Sequence, residues 1–306
     1  MNVREWALPV YTILMQLSVG VFMLLWIIRA RHLASLGYPA LRQIAKIPLA
    51  IISITIVMAI VGSHFHLSQP FRSFLAVLNF RSSWLSREIV FTLLFSLTIT
   101  WLLWLHWFTA GHDKLISGLG WLAIGFGLIM VFCMAQIYLL PTQTAWNSPI
   151  TVFSFYASVF TLGFIALPTI LLMDLSFSTV LEGQQFGQRS LLVRKILVGA
   201  TYASILAWLG ILALNFYQIS FLRAGDAWAQ ASFELLTSLY LPLLVLRLGL
   251  PLAGIIWLAS SVFRAIQSDQ DLKELMVPVY SACIVILVSE ILGRFLFYAT
   301  HVRIGV

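Results

Sequence analysis

LISGLGWLAIGFGLIMVFCMAQIYLL, residues 115–140, carries no charged side chain and no alternation of polar with apolar positions. A helix needs about 20 apolar residues to cross a hydrocarbon core, and this run supplies them. Barrel strands are short and alternate, so the same run excludes a closed β-barrel. It stops at Pro141-Thr142-Gln143-Thr144-Ala145-Trp146-Asn147-Ser148-Pro149, a turn-rich break, and a second long run follows at once. Continuing in both directions, the sequence predicts eight spans: 7–28, 47–63, 89–108, 115–140, 150–173, 196–216, 239–263 and 275–298. The second is short and the fourth long, which implies tilt or fraying. The expected fold is therefore all-α, an eight-transmembrane-helix bundle forming a single domain over residues 1–306.

Composition agrees. Hydrophobic residues make up 61% of the protein and charged residues 9%, with 11 Trp, 9 Tyr and 22 Phe for interfacial belts. The mean hydropathy is +0.98. A soluble domain carries roughly 25% charged residues, so a water-exposed globule is excluded. The net charge of +7 is spread over short loops rather than gathered in a patch, which argues against a nucleic-acid partner. Cys133 and Cys283 both lie in apolar runs and read as small buried hydrophobes. Without a cysteine series, no iron–sulfur cluster is expected in this chain. The first run exceeds a signal-peptide core of roughly 7–15 residues and ends at Arg29-Ala30-Arg31, so it reads as a retained helix.

Loop cations set the orientation. With the N-terminus outside, the inner loops hold ten Lys and Arg residues: Arg29, Arg31, Arg42, Lys46, Lys114, Arg189, Arg194, Lys195, Arg264 and Lys273. The outer side holds six: Arg4, Arg72, Arg81, Arg87, Arg223 and Arg303. Both termini are expected on the outer side of the membrane.

Ionisable groups at a membrane boundary are expensive to hold, which makes them functional candidates. They concentrate between Gly62 and Glu88, in His66-Leu67-Ser68-Gln69-Pro70-Phe71-Arg72 and in Glu88 itself. His64 and His66 stand two apart, a spacing that does not place both on one helical face, so they make a poor metal pair. Arg247 lies about two turns inside the outer end of the seventh span. Glu290 and Arg294 sit near the outer end of the eighth, spaced for an i,i+4 ion pair that would neutralise both. Arg247 has no acid in its own helix; Glu88, a bound headgroup or a loop carbonyl would each serve as partner. A bis-histidine haem needs two facing His at membrane depth, whereas His106 and His66 fall at opposite faces. Haem is therefore not expected.

Oxidising a hydroquinone removes two electrons and two protons. An imidazole or a partly buried carboxyl suits the proton transfer, and Phe65, Phe71, Phe74 and Trp84 supply apolar surface for a ring and tail, or else simple interfacial anchoring.

At these residues the sequence resembles the membrane-anchor subunit of bacterial dimethyl sulfoxide reductases, the DmsC family. The resemblance runs from Glu5-Trp6 with Thr12, Gln16 and Gly20, through His66-Leu67-x-x-Pro70-x-Arg72-x-Phe74 and Ser83-Trp84-Leu85-Ser86-Arg87-Glu88, to Glu290-Ile291-Leu292-Gly293-Arg294, Phe297-Tyr298 and His301. Arg247 falls where the family carries an Arg. The resemblance implies eight helices, outer termini, and partnership with an iron–sulfur subunit and a molybdopterin catalytic subunit. It implies menaquinol oxidation without haem, with His66 and Glu88 in the site and Arg72 and Phe74 in its loop. Ser68 stands where the family has Gly, and Ala76 where some members have a small polar residue. Two other functions compete: a solute transporter using intramembrane Arg247 and Glu290, and an anchor with no quinol site. No paired broken helices or inverted repeat favour the transporter.

Overall fold

The computed structural model describes residues 3–64, 70–109, 111–177, 184–267 and 272–302. Those residues form an all-helical bundle: α1 (Val3–His64), α2 (Trp84–Phe108), α3 (Asp113–Gln136), α4 (Pro149–Phe177), α5 (Gln184–Ala224), α6 (Ala227–Thr237), α7 (Leu241–Gln267) and α8 (Met276–Ala299), with 3-10 turns at Pro70–Asn79 and Leu272–Leu275. Seven of them are long and apolar enough to cross a membrane.

The first of the seven is two helices in one. Gly37 adopts φ 72° and ψ 168°, a conformation open to glycine and costly to other residues. Pro39 follows it, placed where a missing N–H is harmless at the start of the next helix. The second arm then runs back along the first, so that a Cβ on Gly62 would stand 3.9 Å from the Val10 side chain.

The core sits around α4, which packs against α1, α3, α5 and α8. Its most apolar stretch is 61% buried, against 28% for α7 at the rim. With no water to expel from lipid, helices associate through close fit, and small residues allow it. Gly20 of α1 and Gly163 of α4 meet backbone to backbone: a Cβ on Gly20 would lie 2.1 Å from the Val159 carbonyl oxygen. Trp26 fills the space above Gly120 of α3 in the same way. Outward, Leu93, Leu97, Trp101, Trp104 and Phe108 form one exposed apolar face of α2, as expected of a lipid-facing helix.

Polar groups gather at the two ends. At one end Arg42 donates to the carbonyls of Leu105 and Thr109, capping the last turn of α2. Arg29 donates to Ser117 (3.1 Å) and lies over the Trp26 ring. Asp174 pairs with Arg189, joining the end of α4 to the start of α5. His106 is at this end too, its Nδ1 bonded to the Leu102 carbonyl (2.8 Å). The N-terminal and C-terminal segments meet at the opposite end, where Trp6 stacks on Phe295 at 5.8 Å.

Several boundaries differ from expectation: α1 stays helical through 29–46 apart from Gly37, and α5 (Gln184–Ala224) overruns the expected 196–216 at both ends. α2 begins at Trp84 rather than Ile89, because Ser83 caps it by accepting from the Ser86 N–H (3.3 Å). α3 ends at Gln136, four residues early, where Ile137–Leu140 turn. The outer connection 217–238 contains α6, capped by Asp226 accepting from the Ala229 N–H (2.8 Å).

Candidate functional site at the end holding both termini

Glu88 lies in the second turn of α2 and is only 5% exposed. It stands beside the Tyr11 phenol of α1. Tyr11 in turn shares a 2.8 Å hydrogen bond with Thr92, one turn further along α2 from Glu88. The approach to this helix is tied down locally. Ser86 donates to the Ala76 carbonyl, fixing the 3-10 turn. Arg87 donates to the carbonyls of Phe80 (3.0 Å) and Arg81 (2.6 Å) while its guanidinium covers Trp84 at 4.2 Å. His66 lies outside the described residues. Arg72 and Phe74 belong to the 3-10 turn, and only their backbone is described. His64 bonds its own helix, Nδ1 to the Ile60 carbonyl at 2.7 Å.

Across α1 lies a second polar group. Glu290 and Arg294 are 5% and 6% exposed. No ion pair joins them within 4.0 Å, although the spacing predicts one. Each finds a partner on another helix instead. The Ser158 hydroxyl of α4 donates to Glu290 at 2.5 Å. Arg294 donates to Gln16 Oε1 of α1 at 2.9 Å, and its guanidinium lies 3.9 Å from the centre of the Phe155 ring. α8 packs against both α1 and α4, so tertiary contacts outbid the neighbour along the helix. Arg247 pairs with no acid among the described residues either. Its Nη1 donates to Asn215 (3.3 Å), its Nε is buried without a partner, and its guanidinium lies flat on Gly293, where a Cβ would be 2.5 Å away.

Arg247 and Arg294 share a cavity of about 90 Å³ with Asn215, Gln218, Trp146 and Phe297. One wall of it is an aromatic cluster that the sequence did not single out as a unit. Trp146 stacks on Phe297 (5.1 Å) and on His301 (4.4 Å) and donates its indole N–H to the Phe297 carbonyl (2.7 Å). Tyr138 and Tyr298 share a 2.5 Å hydrogen bond behind it. The structure thus brings Arg247, Glu290 and Arg294 together on the α7–α8 side, while Glu88 stands on α2 beside Tyr11. α1 links the two groups: Gln16 follows Tyr11 by five residues, about 7.5 Å along the helix. Among the described residues, no group of three or more His, Cys, Asp or Glu is placed to hold a metal.

The family model for the dimethyl sulfoxide reductase anchor subunit (DmsC) matches residues 1–300. The protein belongs to that family. The anaerobic dimethyl sulfoxide reductase protein YnfH of Escherichia coli K12 is 26% identical over 314 residues, an alignment that spans 99% of this sequence and 96% of its own. The C subunit of the anaerobic dimethyl sulfoxide reductase of Haemophilus influenzae Rd is 24% identical over 312 residues, spanning 100% and 98%. No solved structure matches. Membership of the anchor-subunit family agrees with a bundle in which, among the described residues, the 11-residue α6 is the one α-helix not long and apolar enough to cross a membrane.

Proposed function

We propose that this protein is the menaquinol-oxidising membrane anchor of a dimethyl sulfoxide reductase-type molybdoenzyme in the bacterial inner membrane. Eight crossings are counted by taking the two arms of α1 as separate spans, with both termini on the periplasmic side. The quinol gives up two protons and two electrons. His66 accepts a proton and hydrogen-bonds one ring hydroxyl, and Glu88 relays the proton outward. Arg72 orients the ring oxygen and Phe74 lines the tail path. Arg247, Glu290 and Arg294 shape the far end of the pocket. The electrons pass to an iron–sulfur partner subunit and on to a molybdopterin catalytic subunit, where the terminal oxide is reduced. Site and proton exit share one face, so this half-reaction moves no charge across the membrane.

Family membership from residue 1 to residue 300 is the observation behind this reading. The buried Glu88 beside Tyr11 supports it, since a carboxyl taken out of water calls for a use. The test is His66→Ala in the assembled complex. Quinol oxidation is expected to fall by about two orders of magnitude or more, the usual share of a positioned acid–base group, while subunit and iron content stay constant. Unchanged turnover would overturn the assignment.

A further inference from the structure

At the end of the bundle away from that site, a cleft of about 450 Å³ opens between α1 and α5, with Phe164 of α4 at its back. α4 packs against both flanking helices and holds them apart. The cleft has a polarity gradient. Arg31 and His32 of α1 and Lys195 of α5 line it, and among the described residues the rest of its lining is apolar, with no acid. α1 runs from Leu24 to His32 as α5 returns from Lys195 to Ala203, so each wall is about 12 Å long at 1.5 Å per residue. The cations therefore collect at one end, and Leu24 and Ala203 lie at the other, deep in the apolar zone. Arg31 and Lys195 are exposed and join no ion pair among the described residues. Nearby, Arg189 already has Asp174. Gly199 keeps the α5 wall low: a Cβ there would meet nothing within 4 Å.

We infer that this cleft is a binding site for one anionic phospholipid, its phosphate held by Arg31, His32 and Lys195 and an acyl tail laid along Gly199 towards Ala203 and Leu24. A free anion has no use for the apolar floor, and a neutral amphiphile has none for three basic groups. Basic pockets between transmembrane helices hold acidic headgroups for the same reason. The leaflet follows from the proposed orientation and is the cytoplasmic one; the binding itself does not depend on the quinol reading.

The test is native mass spectrometry of the complex from mild detergent, with cardiolipin, phosphatidylethanolamine or inorganic phosphate added back. The wild type is expected to retain cardiolipin over phosphatidylethanolamine and to retain no inorganic phosphate. Each basic residue near an acidic surface contributes roughly fivefold, so Arg31→Gln with Lys195→Gln should weaken cardiolipin retention about twenty-five-fold. Gly199→Leu leaves every cation in place, fills the floor and should also displace the lipid. Quinol oxidation is measured on the same samples and is expected to be unchanged. Equal retention of phosphatidylethanolamine, retention of phosphate alone, or full cardiolipin retention in Gly199→Leu or in the double variant would each overturn the inference.

Discussion

The contact between Gly20 and Gly163 makes a sharp prediction. In Gly20→Ala the new methyl would sit 2.1 Å from the Val159 carbonyl oxygen and 3.0–3.1 Å from the Gly163 backbone. Ordinary carbon–oxygen contact begins near 3.4 Å, so α1 and α4 must separate by roughly 1.3 Å, because no flexible side chain is there to yield. Overpacking of a tight core costs about 1–3 kcal/mol, and a backbone collision belongs at the upper end. Alanine returns under about 1 kcal/mol in helix propensity. The net loss is about 2 kcal/mol, which in a protein of this size lowers the melting temperature on the order of 5 °C. The control is Gly210→Ala, where a Cβ meets nothing within 4 Å and the propensity gain stands alone. Thermal unfolding of the two variants and the wild type in one detergent decides the matter. If Gly20→Ala melts with the wild type, the close approach of the two helices is refuted.

Two further expectations come from buried polar contacts. Arg294→Lys keeps the charge but loses the planar fork that reaches Gln16 while covering Phe155. It is expected to cost about 1–2 kcal/mol in unfolding measurements, and an unchanged melting curve would show that charge alone suffices. Asp174→Asn removes the ion pair with Arg189, whose side chains are 14% and 12% exposed. A loss of about 2 kcal/mol is expected, with easier proteolysis between α4 and α5 as an independent readout.

Long apolar runs and the Pro141–Pro149 break were legible because they depend only on local composition. Where charge interrupts hydropathy, the reading slipped: Arg87 and Glu88 hid the true start of α2, although the Ser83 cap was there to be read. α6 escaped because 11 residues are too few for a spanning run, again despite its Asp226 cap. The candidate site divides in the same manner. Glu290 and Arg294 were found as isolated charges in an apolar helix, yet their spacing pointed to each other rather than to Ser158 and Gln16. Partners 132 and 278 residues away leave no periodic trace in a single sequence. Tyr11, Tyr138 and Trp146 were passed over for that reason: their chemistry arises only when helices distant in sequence are packed together.

The central position of α4 also orders the assembly in time. The polypeptide inserts from its N-terminus, so α1, α2 and α3 enter the bilayer before α4 exists. Until residue 163 arrives, the groove at Gly20 faces lipid, and Gln16, five residues past Tyr11, waits longer still, since Arg294 enters only with α8. The early helices can already pack on one another, Trp26 of α1 against Gly120 of α3 and Tyr11 of α1 against Thr92 of α2, but they lack the helix at the centre of the bundle. A nascent polypeptide arrested after α3 would remain a loose, protease-sensitive intermediate, and α4 is the segment whose emergence turns insertion into folding.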